Sequence, residues 1–232
     1  MYLLTETASP FALERWAAFF ANFGQFAKGF FYTLGISIGA LIVALLLGLI
    51  FGAMSSTHNK VLRGISRVYV EIFQNTPLLV QFVVVFYGIS ILTDGHVMIP
   101  ISLTAILCVG VYTGAYISEI IRTGIEAVPN GQNEAALSQG FNNADTMRII
   151  ILPQAVRTIL PPLTNQVVNL IKNTSTVAII SGADIMFTAK AWAYDTTNYV
   201  PAFAGAAFLY FIMCFPLATW ARRKEEENKK AY

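Results

Sequence analysis

Predominantly apolar runs long enough to cross a lipid bilayer make up about half of this sequence. Each run approaches or exceeds the roughly 20 residues that a helix needs to span the hydrocarbon core. Charged residues make up only 12% of the 232 residues, about half of the ~25% usual in soluble domains. We therefore predict one all-α integral membrane domain with about five transmembrane helices. The runs occupy residues 29–54, 68–92, 99–121, 155–171 and 201–220.

The regions that flank the apolar runs differ in character. Aromatic residues recur at close to helical spacing from Phe11 to Phe30, which is typical of an amphipathic helix lying in the membrane interface. We predict an external N-terminal segment at residues 1–28, a transmembrane domain at 29–222 and a charged cytoplasmic tail at 223–232.

Prolines and glycines modify the predicted spans. Pro77 should break or kink the second span, and Pro161 with Pro162 should interrupt the fourth. Residues 172–200 mix apolar and polar side chains and form a candidate re-entrant segment. Glycines four residues apart either allow close helix approach or simply reflect the abundance of glycine in spans. These pairs are Gly35/Gly39, Gly48/Gly52 and Gly110/Gly114.

The basic residues predict the orientation of the chain. With five spans, one side receives 11 of the 15 Lys and Arg residues and the other side receives 4. Because basic residues concentrate in cytoplasmic loops, we predict an external N-terminus and a cytoplasmic C-terminus in the cell membrane. The smaller group consists of Arg15, Lys28, Lys172 and Lys190.

Several kinds of chemistry find no support in the sequence. No G-x-x-x-x-G-K-[S/T] motif occurs to bind nucleotide phosphates, and no histidine has a partner at metal-ligand spacing. We predict no enzymatic activity, no metal site and no nucleic-acid binding. Cys108 and Cys214 both lie in apolar runs, so we expect small packing residues rather than a disulfide.

Residues 122–153 form a polar segment between the third and fourth spans. We predict a helix from Gln132 to Gln139 that stops at Gly140, and a second helix capped by Asn143. A short helix of this kind could occupy a groove on a partner protein, or it could merely connect two spans.

This segment carries a family resemblance. The residues from Glu134 to Gly140, nine further residues and Ile150-Ile151-Leu152-Pro153 match the E-A-A-x-x-x-G-x9-I-x-L-P signature of permease subunits of bacterial ABC importers. Residues 71–81 and 118–125 resemble the polar amino-acid uptake branch of that family, although Gln74-Asn75 replaces the Arg-Gly or Arg-Asn that often precedes Thr-Pro. The resemblance implies that the loop helix docks into an ATPase subunit. The implied coupling residues are Glu134, Ala135, Ala136, Gly140, Ile150, Leu152 and Pro153.

The resemblance also implies a function. The chain would be a permease subunit that moves a polar amino acid into the cell by alternating access. Its implied partners are ABC ATPase subunits that hold the ATP and Mg²⁺, an external substrate-binding protein, a second permease of the same or a similar kind, and membrane lipid. The alternatives are a self-sufficient secondary carrier or channel for a small polar solute, and a structural membrane scaffold.

Polar residues at membrane depth are the candidates for a substrate path. Asn165, Asn169 and Lys172 stand at i, i+4 and i+7 and share one helix face. Gln81, Glu119 and Ser175 belong to the same class. Such residues either face a cavity or a substrate, or hydrogen-bond between helices, and Glu119 could instead pair with a basic residue.

Overall fold

The computed structural model describes residue 9, residues 11–57 and residues 59–230, with side chains through residue 226. This part of the chain is helical and contains no strand, which confirms the predicted all-α class. Three shorter segments are Asn143–Asp145, the π-helix Thr146–Ile151 and the 3₁₀-helix Thr174–Ile180. The main helices are α1 (Leu13–Ala21), α2 (Phe23–Ser55), α3 (Lys60–Gln74), α4 (Leu78–Leu92), α5 (Ile101–Glu126), α6 (Asn130–Ser138), α7 (Leu152–Asn173), α8 (Ile185–Thr196) and α9 (Tyr199–Lys230).

Three of the described helices, α2, α5 and α9, are long and apolar enough to cross a membrane. Together, α3 and α4 would form a fourth span if they are counted as one span bent by 97°. The remaining predicted span, α7, carries asparagine, glutamine and proline within its sequence. The count of five therefore stays a prediction.

The seam between α2 and α5 forms the centre of the bundle. A methyl group added at Gly110 would lie 2.7 Å from Val43 Cβ and 3.0 Å from the Ala40 carbonyl oxygen. Such contacts require glycine, because only a missing side chain lets the two backbones approach this closely. Four of the other paired glycines also lie in close contact, whereas Gly35 faces open space.

The N-terminal helix is shorter than predicted. The predicted helix from Phe11 to Phe30 breaks at Asn22, whose side-chain Nδ2 donates a hydrogen bond to the Ala18 carbonyl at 2.9 Å. Across this break the Phe19 ring packs edge-on against Phe26, with centroids 4.8 Å apart. Of the predicted external segment, residues 1–8 and 10 lie outside the described residues.

Pro77 separates α3 from α4, as predicted. The helix α3 begins at Lys60, ahead of the predicted span start after Arg67. Its N-cap is Asn59, whose Oδ1 accepts hydrogen bonds from the amides of Val61 at 2.9 Å and Leu62 at 3.3 Å. An asparagine cap satisfies amides that have no partner within the helix.

The helix α7 is continuous, so the predicted interruption at Pro161 and Pro162 is wrong. Both prolines have a backbone angle that a helix accepts, and each removes only one helical hydrogen bond. The helix begins at Leu152, ahead of the predicted span start near Ala155. Pro153 lies where the π-helix passes into α7, so its missing N–H removes one hydrogen bond from a continuous helical run.

The C-terminal third differs from the predicted boundaries. Residues 172–200 contain the 3₁₀-helix and α8, which packs its Ile185 and Trp192 side chains into the bundle. The last helix, α9, extends from Tyr199 to Lys230 and includes most of the predicted tail. Residues 231 and 232 lie outside the described part of the chain.

Candidate functional site

The loop between α5 and α7 holds the short helix α6, which ends at a glycine. Gly140 has a φ of 89°, in the left-handed region that residues with a Cβ avoid. The Phe141 amide donates to the Ala136 carbonyl at 3.1 Å, and the Gly140 amide donates to the Leu137 carbonyl at 3.0 Å. These two bonds form a Schellman motif, so the helix stop predicted from sequence is confirmed.

The predicted coupling residues divide between an outer and an inner surface of the loop. Glu134, Ala135 and Gly140 are exposed and available to a partner protein. In contrast, Ala136 is only 5% exposed and faces the chain itself. The small Ala136 side chain lets α6 lie close to the loop, and its role in coupling stays a prediction.

The second half of the loop reaches the membrane helix without a break. Its N-cap is Asn142 rather than the predicted Asn143, since Asn142 Oδ1 accepts from the Asp145 amide at 2.9 Å. A π-helix then leads directly into α7. Of the predicted coupling residues, Leu152 and Pro153 are exposed and Ile150 is half-buried.

A small apolar cluster connects the loop to the ends of α5 and α7. Val128, Ile151, Ala155 and Ile159 form this cluster, which we call the loop anchor. Gly124 of α5 lies so close to Ile159 that an added methyl group would overlap it. Sequence reasoning missed the loop anchor, although Ile151 stands inside the quoted signature and belongs to the short apolar run from Ile149 to Leu152, which was the available signal.

One face of α7 is polar and open. Asn165, Asn169 and Lys172 are all exposed, while Gln166 and Leu170 on other faces are buried. We call these three exposed residues the polar face of α7. Within the described residues, no hydrogen bond or ion pair engages their side chains.

The two prolines extend the polarity of this helix. Since Pro161 and Pro162 have no N–H, each removes one i+4 hydrogen bond from the helix. Thr158, four residues before Pro162, is exposed. Carbonyls without a helical partner are tolerated in a membrane protein only where other protein groups or a water-filled cavity can satisfy them.

The other predicted path residues do not join this face. The Gln81 Nε2 donates to Thr76 Oγ1 at 2.9 Å and to the Thr76 carbonyl at 3.2 Å, across the break between α3 and α4. Glu119 pairs with Arg122, whose guanidinium also reaches Glu126. Ser175 Oγ donates to the Lys172 carbonyl at 2.7 Å. Each of these side chains makes a local contact, but Gln81 Oε1 is buried without a hydrogen-bond partner among the described residues. Their place on the substrate path stays a prediction.

The buried carboxylate of Asp184 has partners other than Lys172. Asp184 is fully buried and accepts hydrogen bonds from the Met186 and Phe187 amides at the start of α8. It also accepts one from the Tyr210 hydroxyl at 3.1 Å. Since Lys172 is exposed and does not pair with Asp184, the lysine remains available to water, a partner or a substrate.

Comparison with known families and sequences gives a consistent result. Residues 44–225 match the family model described as "Binding-protein-dependent transport system inner membrane component". The probable glutamine ABC transporter permease protein GlnM of Bacillus subtilis (strain 168) is 35% identical over 92% of this chain and 97% of its own length. The glutamate/aspartate import permease protein GltJ of Escherichia coli (strain K12) is 33% identical over 82% of this chain and 85% of its own length.

Solved structures agree with the sequence relatives. A chain from a crystal structure of an amino acid ABC transporter with histidines has a TM-score of 0.84 and 31% identity, covering 91% of this chain and 98% of that one. A chain of the MetNI methionine ABC transporter in an inward-facing conformation has a TM-score of 0.69 over 88% of this chain and 98% of its own. With only 16% identity, the second match supports the fold alone.

Proposed function

This chain belongs to the family of binding-protein-dependent transport system inner membrane components, and we propose that the polar face of α7 lines its substrate path. The relatives are permease subunits of amino-acid ABC transporters. The chain is accordingly a multi-pass membrane protein and a permease subunit of a polar amino-acid ABC importer. The alternative of a self-sufficient carrier is not favoured.

The working transporter needs further subunits. We infer that two permeases, identical or similar, associate with two ATPase subunits that hold ATP and Mg²⁺, and with an external substrate-binding protein. The uneven distribution of basic residues supports an external N-terminus and a cytoplasmic loop and C-terminus. In this arrangement α6 would face the ATPase.

The observation that supports the proposed substrate path is the exposed polar face of α7. Exposed asparagine and lysine side chains are costly in lipid and usually face water, a partner or a ligand. The amides can hydrogen-bond either charged group of an amino acid, and the Lys172 ammonium can attract its carboxylate. A second permease opposite this face would enclose a path between the two copies.

Coupling would use the loop anchor as a mechanical link. When the ATPases close on ATP, they would push the exposed side of α6, including Glu134 and Ala135. Because Val128 and Ile151 pack with Ile159, the displacement would pass into α7 rather than dissipate in a flexible loop. Alternation of α7 between two positions would then open its polar face to each side of the membrane in turn.

Reconstitution tests this proposal. The permease, its ATPase and its binding protein are placed in proteoliposomes, and uptake of radiolabelled glutamine, glutamate, aspartate and arginine is measured with and without ATP. We expect ATP-dependent uptake of at least one polar amino acid. Uptake that persists without ATP or without the ATPase subunit would contradict the coupling mechanism.

A further inference from the structure

A cavity outside the proposed path lies between α3 and the ends of α2 and α5. Its volume is about 830 Å³, which is within the range of small-molecule sites. Lys60, Arg63 and Arg67 stand at i, i+3 and i+7 of α3 and all line it. Hydroxyl groups at the end of α2, from Ser55 to Thr57, line the same cavity.

The charges in this cavity are unevenly neutralised. Arg122 is held between Glu119 and Glu126, so this side of the cavity carries one more negative charge than positive and does not attract an anion. On α3, Arg67 and Glu71 approach only to 3.8 Å, and their side chains are 80% and 59% exposed.

The two remaining basic residues are free to bind an anion. Within the described residues, neither Lys60 nor Arg63 has an acidic partner. The positive charge of the cavity is therefore concentrated at the N-terminal half of α3.

An apolar strip lies on α3 beside the basic residues. Val61, Ile65, Val68 and Ile72 share one side of the helix and are 50–69% exposed. Since α3 is bent by 97° relative to α4, a membrane-crossing α4 places α3 near the plane of the bilayer. A helix in that position with an apolar strip and basic residues is typical of the membrane interface.

We propose that this cavity binds the headgroup of an anionic phospholipid in the leaflet next to the ATPase subunits. The phosphate would lie between Lys60 and Arg63, and the acyl chains would run along the apolar strip of α3. A dissolved anion could use the basic residues but would leave that strip exposed. The choice of leaflet rests on the orientation in the proposed function, whereas the binding site itself does not.

Native mass spectrometry of the full-length permease, with any ATPase subunits that copurify, tests the site. Phosphatidylglycerol and phosphatidylcholine are titrated into the detergent-solubilised protein. We expect phosphatidylglycerol to be retained, and Lys60→Gln with Arg63→Gln to weaken its binding about tenfold or more. The matched control, Lys28→Gln with Lys190→Gln, removes two positive charges elsewhere and should change binding less than about twofold.

Two additional measurements are needed. One distinguishes an effect of charge from misfolding, and the other distinguishes lipid binding from binding of dissolved phosphate. The charge-preserving pair Lys60→Arg with Arg63→Lys should retain phosphatidylglycerol. Retention would show that the glutamine pair loses binding through its charge and not through misfolding. Excess inorganic phosphate should leave the lipid bound. Equal retention by the glutamine pair and its control, equal binding of phosphatidylcholine, or full displacement by phosphate would overturn the lipid site. Because this assay needs no transport, failure of uptake in proteoliposomes would be a separate result.

Discussion

The seam between α2 and α5 and the polar face of α7 belong to the same bundle but differ in how their groups are satisfied. In the seam, glycines such as Gly110 bring two backbones together, and the adjoining Ala40, Ala44 and Val109 side chains are fully buried. On α7, by contrast, Asn165, Asn169 and Lys172 are exposed and lack hydrogen-bond or ion-pair partners within the described residues. The seam is packed within a single chain, whereas the polar side chains of α7 need water, substrate or a second permease as partners.

This difference indicates a structural role for the seam and a transport role for the polar face of α7. A tightly packed seam resists relative movement, because packed interiors are not continuously deformable. A helix with a polar face can move between two positions if water, substrate or a second permease satisfies its side chains in each. We therefore expect mutations in the seam to affect folding, and mutations on α7 to affect transport.

The largest expected effect is on the seam. Gly110→Leu would force a side chain into Val43 and the Ala40 carbonyl, and overpacking of this kind destabilises by about 3 kcal/mol or more. We expect most of the folded protein to be lost, as measured by fluorescence-detected size-exclusion chromatography. Gly35→Leu is the matched control in open space. Equal yields of the two variants would show that the seam is not tightly packed.

The next effect concerns the loop that joins the two regions. Gly140→Leu places a Cβ at a φ of 89°, at a cost of about 1–2 kcal/mol, and should distort the end of α6 without unfolding the bundle. We expect stimulation of the ATPase by loaded binding protein to fall at least about tenfold, which corresponds to ~1.4 kcal/mol.

Gly140→Asn serves as the control for the helix stop, because asparagine tolerates the left-handed conformation. It should retain most of the stimulation. Normal stimulation and uptake in the leucine variant would refute the coupling role of this glycine.

A smaller effect is expected on the polar face of α7. Lys172→Met removes the ammonium but retains most of the aliphatic side chain, so uptake should fall by roughly tenfold, as for a loss of about 1.5 kcal/mol in a charged hydrogen bond. The melting temperature should stay within a few degrees, because Lys172 has no hydrogen-bond or ion-pair partner for its ammonium within the described chain. Lys28→Met, also exposed, is the control. A large drop in melting temperature with unchanged uptake per folded molecule would assign Lys172 a structural role instead.

The smallest effect is expected at the exposed pair of Arg67 and Glu71. Glu71→Gln removes an ion pair 3.8 Å apart between largely exposed side chains, which contributes about 0.5 kcal/mol or less. Thermal unfolding should be almost unchanged. A loss comparable to that of Gly110→Leu would mean that α3 depends on charge more than on packing.

The sequence predicted the helical class, the break at Pro77 and the stop at Gly140, because apolar run length, proline and glycine act locally. It did not predict the continuity of α7, where the surrounding bundle retains a helix despite Pro161 and Pro162. It left open whether Gln81 and Glu119 line the substrate path or pair locally, since a polar residue in an apolar run does not reveal its partner. Their local contacts depend on side-chain geometry that residue spacing does not contain.

The most direct test of the substrate path is thiol labelling of α7 in the assembled transporter. In a background with Cys108 and Cys214 replaced by serine, Asn169→Cys on the polar face is compared with Ala44→Cys in the seam. We predict that a membrane-impermeant maleimide, present on both sides of proteoliposomes, labels the Asn169→Cys protein and that transported substrate with loaded binding protein slows this labelling. The Ala44→Cys protein should stay unlabelled. If the Asn169→Cys protein is as unreactive as the Ala44→Cys protein, or if substrate never alters its labelling, the polar face of α7 does not line the path.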